Sequence, residues 1–311
     1  MKPRKYIEER LVALYEKMFG KKPGGKAMSP LEPNCHPEFD DSKLLDSQGI
    51  QQYQSLVGSL QWVLTLGRFD IACALMTLSG FRTAPRRGHL LMLQRLCKYL
   101  HKTQNFCIRF RTEEPDLSYL SSVKQDWYQI YGDVKELLPE DAPPPLGKHV
   151  QLSHFVNANL YHDALTGRSV TACLHFLNGT PIDFYSKKQA TVEAATYGSE
   201  FVAARTCDEQ IIDLRNTLRY LGVPIRPVSH LWGDNESVVN SATKLHAKLH
   251  KRHNALSFHR VREAIASGYL EFHYCPGDEN PSDILSKHWG YQAVQDQLLA
   301  LLHQPGSCFD D

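Results

Sequence analysis

No run of apolar residues in this 311-residue chain approaches the ~20 needed to cross a bilayer. The N-terminal Met1-Lys2-Pro3-Arg4-Lys5 leads into a charged amphipathic stretch with no hydrophobic segment, so no secretory signal is expected. These absences predict an intracellular protein, cytoplasmic or nuclear, without membrane association. Net charge is nearly absent too. Lys and Arg number 35 and Asp and Glu 34, a formal +1, so any nucleic-acid affinity must come from local patches. The eight cysteines lie far apart and form no CxxC pair, which argues against a zinc ribbon or a disulfide frame. Cys73, Cys97, Cys173 and Cys207 fall in apolar patterns and read as core thiols. Internal repeats and low-complexity tracts are also missing.

What is present is a globular composition, 42% apolar and 22% charged, at a length that suggests two domains. Ile7, Leu11, Leu14, Tyr15 and Met18 recur at helical steps, and Gly20 and Pro23-Gly24-Gly25 stop them. Residues 48–103 read as helices joined by short turns. Asp70 is expected to cap the run Ile71–Leu78, and Leu90, Leu93, Leu96, Cys97 and Leu100 share one side of the next helix. Residues 1–131 are therefore expected to be mainly helical. Residues 132–149, with Pro139 and Pro143-Pro144-Pro145, read as a linker or strap.

From residue 150 to about 303 the pattern changes. His149–Ala158, Gly167–Leu177 and Ile182–Ser186 predict an antiparallel meander. A long helix capped by Thr191 then reaches Leu221 and is closed by Gly222 and Pro224. Val228–Gly233 and Tyr269–Tyr274 predict two more strands, with helices at Asn235–Thr243, Asn254–Ser267 and Pro281–Lys287. The order βββαβαβα describes an α/β domain, a mixed five-stranded sheet with flanking helices.

Ala204, Cys207, Ile211, Leu214, Leu218 and Leu221 mark the sheet-facing stripe of the long helix. Glu200 lies one step upstream on that stripe. A carboxylate there is costly unless it is paired, metal-bound, or near enough to the helix start to reach water or a backbone N–H. Asp234 ends the fourth strand and Asp283 follows Pro281. Each is also a natural capping or helix-dipole residue. As a set they read differently, because strand ends and helix starts converge at one edge of a mixed sheet. Clustered carboxylates repel unless cations bind them, and hard divalent cations prefer oxygen ligands.

The stretch Lys244–Arg262 carries Lys244, Lys248, Lys251, Arg252, Arg260 and Arg262, with His246, His250, His253 and His259, and no acidic residue. It is either a solvated basic face or the wall of a phosphate-contacting groove, the latter using Lys248, Lys251, Arg252, Arg260 and Arg262.

Several of these segments resemble the ribonuclease H domain of copia-type LTR retrotransposon polyproteins. They are Thr166-Gly167-Arg168-Ser169-Val170-Thr171, Pro181-Ile182-Asp183-Phe184-Tyr185-Ser186-Lys187-Lys188-Gln189, Thr196-Tyr197-Gly198-Ser199-Glu200 and Gly233-Asp234-Asn235-Glu236-Ser237, continued by His259–Glu263 and Asn280–Lys287. Upstream, Leu56–Trp62 and Arg68–Ala72 resemble the reverse-transcriptase thumb and connection. The resemblance implies a ribonuclease H-like fold. It also implies hydrolysis of the RNA strand of an RNA–DNA hybrid with two Mg²⁺ or Mn²⁺ ions, held by Glu200, Asp234, Asp283 and a first-strand aspartate. At that last position this sequence has Val156-Asn157-Ala158. A carboxamide offers one weak oxygen and no charge, so impaired catalysis is expected, on the order of 10²-fold or more. Asp163 is expected to lie too far along, beyond a turn, to substitute. A reverse-transcriptase palm would precede residue 1, so no polymerase activity is expected of this chain alone, and palm and fingers from an element polyprotein become an expected partner. The rival reading is a non-catalytic nucleic-acid-binding or scaffolding remnant.

Overall fold

The computed structural model describes residues 3–120, 125–249, 251–290 and 294–305. Helices α1 (Arg4–Tyr6), α2 (Val12–Phe19), α3 (Ser47–Thr65), α4 (Ala72–Ser79), α5 (Arg87–Lys102) and α6 (Tyr128–Tyr131) come first. Strands β1 (Leu152–Asp163), β2 (Arg168–Leu177) and β3 (Thr180–Lys188) follow. Then come α7 (Thr196–Tyr220), β4 (Ser229–Gly233), α8 (Glu236–Thr243), α9 (Ala255–Ala266), β5 (Leu270–Tyr274) and α10 (Gln295–Leu301). They form two compact units. One comprises Met1–Arg109, Tyr161–Gly167 and Ile284–Asp311; the other comprises Phe110–Leu160 and Arg168–Asp283. Neither unit is contiguous in sequence, unlike the segments 1–131, 132–149 and 150–303 read from pattern alone.

In the helical unit, Gly20 closes α2 in the left-handed region at φ 69°. The Asp46 carboxylate caps α3 by accepting from the Gly49 N–H. Tyr53, Leu56, Val57, Leu60 and Val63 of α3 are buried, as are Leu93, Leu96, Cys97 and Leu100 of α5. The expected cap at Asp70 is corrected. Asp70 lies in a 3₁₀ turn, Phe69–Ile71, and is fully buried. Its oxygens accept from Arg68 Nε (2.9 Å), Arg68 Nη2 (2.7 Å) and Tyr99 Oη (2.6 Å). Arg68 also donates to the Thr103 carbonyl and hydroxyl. A bidentate guanidinium outcompetes a helix start for this carboxylate.

The other unit is built on a sheet of order β3-β2-β1-β4-β5. β2 and β3 run antiparallel from Val170↔Lys188 to Leu177↔Thr180. β1 pairs with β4 in parallel from Ser153↔His230 to Val156↔Gly233, and β4 pairs with β5 in parallel from Ser229↔Leu270 to Gly233↔Tyr274. Parallel neighbours need crossovers, which α7 and then α8 with α9 supply. Val156, Cys173, Phe201, Ala204, Cys207, Ile211, Leu231, Phe258, Val261 and Phe272 share the core.

Three features differ from expectation. α7 begins at Thr196 rather than at a Thr191 cap; in the connection before it, Gln189 donates to Thr171 Oγ1 and the Ser199 carbonyl. At its other end the apolar stripe drifts: Leu214 is half-buried, Leu221 exposed, and Arg215 is buried instead. Arg215 donates to Ser229 Oγ and, with Arg219, grips Glu136, so the expected strap is anchored there by a two-arginine clamp. The expected final helix at Pro281–Lys287 is a 3₁₀ turn, Pro281–Leu285. Among the described residues, no helix is long and apolar enough to cross a membrane.

Candidate active site

β1 and the segments that follow β4 and β5 deliver the predicted residues to one place. Asn157 lies within β1 between the core residues Val156 and Ala158, and is 5% exposed. Asp234 directly follows β4, where Gly233 lets the strand pass the Phe272 ring. A side chain at Gly233 would meet that ring at 3.1 Å. Asp283 is carried in by the turn after β5. There Asn280 Nδ2 donates to the Val156 carbonyl at 2.9 Å and pins the turn to β1. Glu200 comes from the first turns of α7.

The contacts are specific. Asn157 Nδ2 donates to Asp283 Oδ1 at 2.8 Å. The Ala158 backbone N–H donates to Glu200 Oε1 at 3.0 Å. Glu200 is 7% exposed and Asp283 8%. Burial pushes the Glu200 carboxyl well above the ordinary carboxylate range. The nearby Asp234 charge pushes it further, the Ala158 N–H pulls back, and Asp283 adds to the rise. The backbone N–H considered for Glu200 exists, but it belongs to β1 and not to the helix start.

Capping falls to neighbours. Asn235 accepts from the Val238 N–H and caps α8, so Asp234 is not the cap. Asn280 accepts from the Ser282 N–H and hydroxyl at the start of the last turn. β1 does not turn after Ala158 as expected; it runs on to Asp163, whose carboxylate accepts from the Leu165 and Thr166 N–H groups.

The basic stretch divides. Lys248 and Arg252 are exposed and Lys251 is half-buried. Arg260 is partly engaged, with Nε 3.2 Å from Asp208 Oδ2 and Nη1 3.7 Å from Glu263. Arg262 is a correction: it is 2% exposed and cannot meet a phosphate. Its guanidinium donates to the carbonyls of Ser241, Lys244 and Leu245, and lies 4.8 Å from the ring centroids of both Trp127 and Phe258. The last carbonyls of a helix lack intrahelical donors, and Arg262 supplies them for α8. His253 Nε2 meets the buried Glu193 at 3.1 Å, while His250 lies outside the described residues.

Pattern reading missed a cluster on the sheet. His230, Glu271 and His273 converge on the sheet through the β4–β5 register. The available signal was alternation, His230-x-Trp232 beside Glu271-x-His273, but only the strand register brings the two pairs together.

A search of family models finds no match. Curated relatives do match. The chain is 23% identical over 235 residues to the retrovirus-related Pol polyprotein from transposon TNT 1-94 of Nicotiana tabacum, covering 76% of this chain and 15% of that protein. It is 25% identical over 259 residues to the corresponding polyprotein from transposon RE1 of Arabidopsis thaliana, covering 83% and 15%. The chain thus spans about 15% of the length of these relatives. Among solved structures, LC11-RNase H1 in complex with RNA/DNA hybrid aligns over 48% of this chain and 99% of that one, at 13% identity and a TM-score of 0.36. These relatives are retrotransposon Pol polyproteins, and the sheet of this chain has the strand order β3-β2-β1-β4-β5.

Proposed function

We propose that the sheet unit is a retrotransposon-derived ribonuclease H, acting on the RNA strand of RNA–DNA hybrids and impaired at Asn157. The observation that carries the reading is the carboxylate cluster itself: Glu200 is destabilised as an anion by burial first and then by Asp234 and Asp283, beside a carboxamide tied to Asp283. The oxygen donors of Glu200, Asp234 and Asp283 fit a hard divalent cation, Mg²⁺ or Mn²⁺. Asn157, a neutral carboxamide, would hold such a cation more weakly than a carboxylate at the same position. When bound, such ions supply water activation and neutralisation of the leaving oxygen. The chain's own part is to fix three carboxylates on rigid elements and to exclude water around Glu200. Lys248, Lys251 and Arg252 present positive charge for the hybrid backbone, with Arg260 a weaker contributor because Asp208 holds it. A reverse-transcriptase palm and fingers, from the same kind of polyprotein, are the proposed partner.

The test is cleavage of a labelled hybrid with Mg²⁺ and with Mn²⁺. Asn157→Asp is expected to exceed the wild type by about 10²-fold or more. An Asn157→Asp protein that binds hybrid and stays inert would remove the impaired-enzyme reading.

A second reading is favoured by the Asn157–Asp283 hydrogen bond, which partly satisfies the cluster without an ion. In it the unit only binds nucleic acid. Hybrid affinity should then fall steeply with salt, and neutralising Lys248, Lys251 and Arg252 should flatten the slope by about one unit per charge. Salt-independent binding would sink this alternative.

A further inference from the structure

We propose that His230, Glu271 and His273 form a second cation site on the sheet, selective for a borderline divalent ion of the Zn²⁺ class and separate in chemistry from the carboxylate cluster. The three side chains come from adjacent parallel strands. His230 is the register partner of Glu271, and Trp232 is the partner of His273. Residues two apart on one strand share a face, so all four side chains stand on the same side of the sheet. They do so by backbone geometry alone, without any loop having to order.

The donor atoms already converge. His230 Nδ1 is 3.0 Å from His273 Nε2 and 3.5 Å from Glu271 Oε2. His273 Nε2 is 3.6 Å from the same Glu271 oxygen. A tetrahedral ion with bonds of ~2.0–2.1 Å needs its ligand atoms about 3.3–3.4 Å apart. The observed triangle brackets that value. Two imidazole nitrogens and one carboxylate oxygen suit Zn²⁺ and exclude a preference for Mg²⁺, which takes oxygen ligands. The side chains are 12%, 27% and 16% exposed for His230, Glu271 and His273, so solvent reaches the site and leaves a fourth position for water. Without an ion, one of the facing ring nitrogens carries the proton of the 3.0 Å hydrogen bond. On binding, that proton moves to the other nitrogen of its own ring, and both lone pairs then face the ion with no net proton change.

A second group, Cys73, His162 and His288 in the helical unit, is looser. Its sulfur-to-nitrogen distances are 4.0 and 3.9 Å, and His162 Nε2 is also 3.3 Å from the Thr77 hydroxyl. Its geometry needs side-chain movement that the sheet site does not.

The experiment uses the full chain, with excess Mg²⁺ present to occupy the carboxylates, and titrates Zn²⁺ by calorimetry. Trp232 serves as a local reporter, since its ring centroid lies 5.8 Å from that of His230 and 5.5 Å from that of His273. We expect one Zn²⁺ per chain, a change in Trp232 emission, and a rise in melting temperature of about 5–10 °C at saturating Zn²⁺. His230→Asn and His273→Asn should each weaken binding by more than about 100-fold, beyond what loss of a merely supporting group costs. Their metal-free melting temperatures should match the wild type, and Glu271→Gln should bind weakly with an unchanged fold. The emission response should survive Cys73→Ser. The proposal fails if His230→Asn binds Zn²⁺ as the wild type does, or if Cys73→Ser alone abolishes binding.

Discussion

Each unit buries a charged cluster, and the two clusters are balanced in opposite ways. In the helical unit, Arg68 and Asp70 are both fully buried and meet through two hydrogen bonds, with Tyr99 and Thr103 completing the set. In the sheet unit, Glu200 shares its surroundings with Asp234 and Asp283; it accepts from a backbone N–H, and Asp283 accepts from the neutral Asn157. The first cluster is complete as folded. In the second, burial, Asp234 and Asp283 all disfavour the Glu200 anion, an effect that a bound cation would oppose. Burial of charge alone therefore does not mark a candidate site; like charges buried together distinguish the second cluster from the first.

The comparison can be broken most severely at Asp70. Asp70→Asn leaves Arg68 buried against a neutral partner and should cost roughly 3–5 kcal/mol, read as a lower urea midpoint for the helical unit. A cost near zero would mean the pair is not the balanced element described here. Arg262→Met should follow, at about 2–4 kcal/mol, because three carbonyls in and just past the end of α8 lose their donor. The salt dependence of hybrid binding should be unaffected by it. Glu200→Gln should have the opposite sign in metal-free buffer and raise stability by about 1–2 kcal/mol, since it removes a repelled buried anion. Equal destabilisation by Glu200→Gln and Asp70→Asn would erase the distinction.

A smaller effect concerns pH. Burial lifts the Asp208 carboxyl to about 6, while its hydrogen bond from Tyr269 and the Arg260 charge pull it down. A carboxyl raised in the folded state contributes stability that is full below its unfolded value of ~3.9 and lost as pH rises through the folded value. Wild type should therefore lose stability relative to Asp208→Asn between about pH 4 and pH 6. Parallel curves would show that Asp208 titrates normally. The smallest effect belongs to Arg252→Ala, which should stay within about 0.5 kcal/mol in stability and reduce the salt slope by about one unit.

Much of this was legible in the sequence. The meander, the two later strands and the order of helices follow from alternation and helical steps. Glu200 stood out because it continues an apolar stripe. What was not legible depended on long-range partners. Asp70 resembles any helix cap until Tyr99 and Thr103 of α5 and its end are placed beside it. Arg262 belongs to a basic run in sequence, and only the end of α8 explains its burial. The histidines of β4 and β5 are ordinary strand residues until the register sets His230 beside Glu271.

The hydrogen bond from the Ala158 N–H to Glu200 also bears on how this protein ages. Asparagine turns into aspartate spontaneously when the following backbone nitrogen loses its proton and attacks the side-chain carbonyl, expelling ammonia and closing a succinimide that water then opens to aspartate or isoaspartate. Here that nitrogen is the one whose proton Glu200 holds, and it sits in a paired, extended strand that resists the required bend. The folded chain is thus protected from chemical conversion of Asn157 to a carboxylate. Mass spectrometry of protein stored folded should find Asn157 intact, and storage in denaturant should convert it faster.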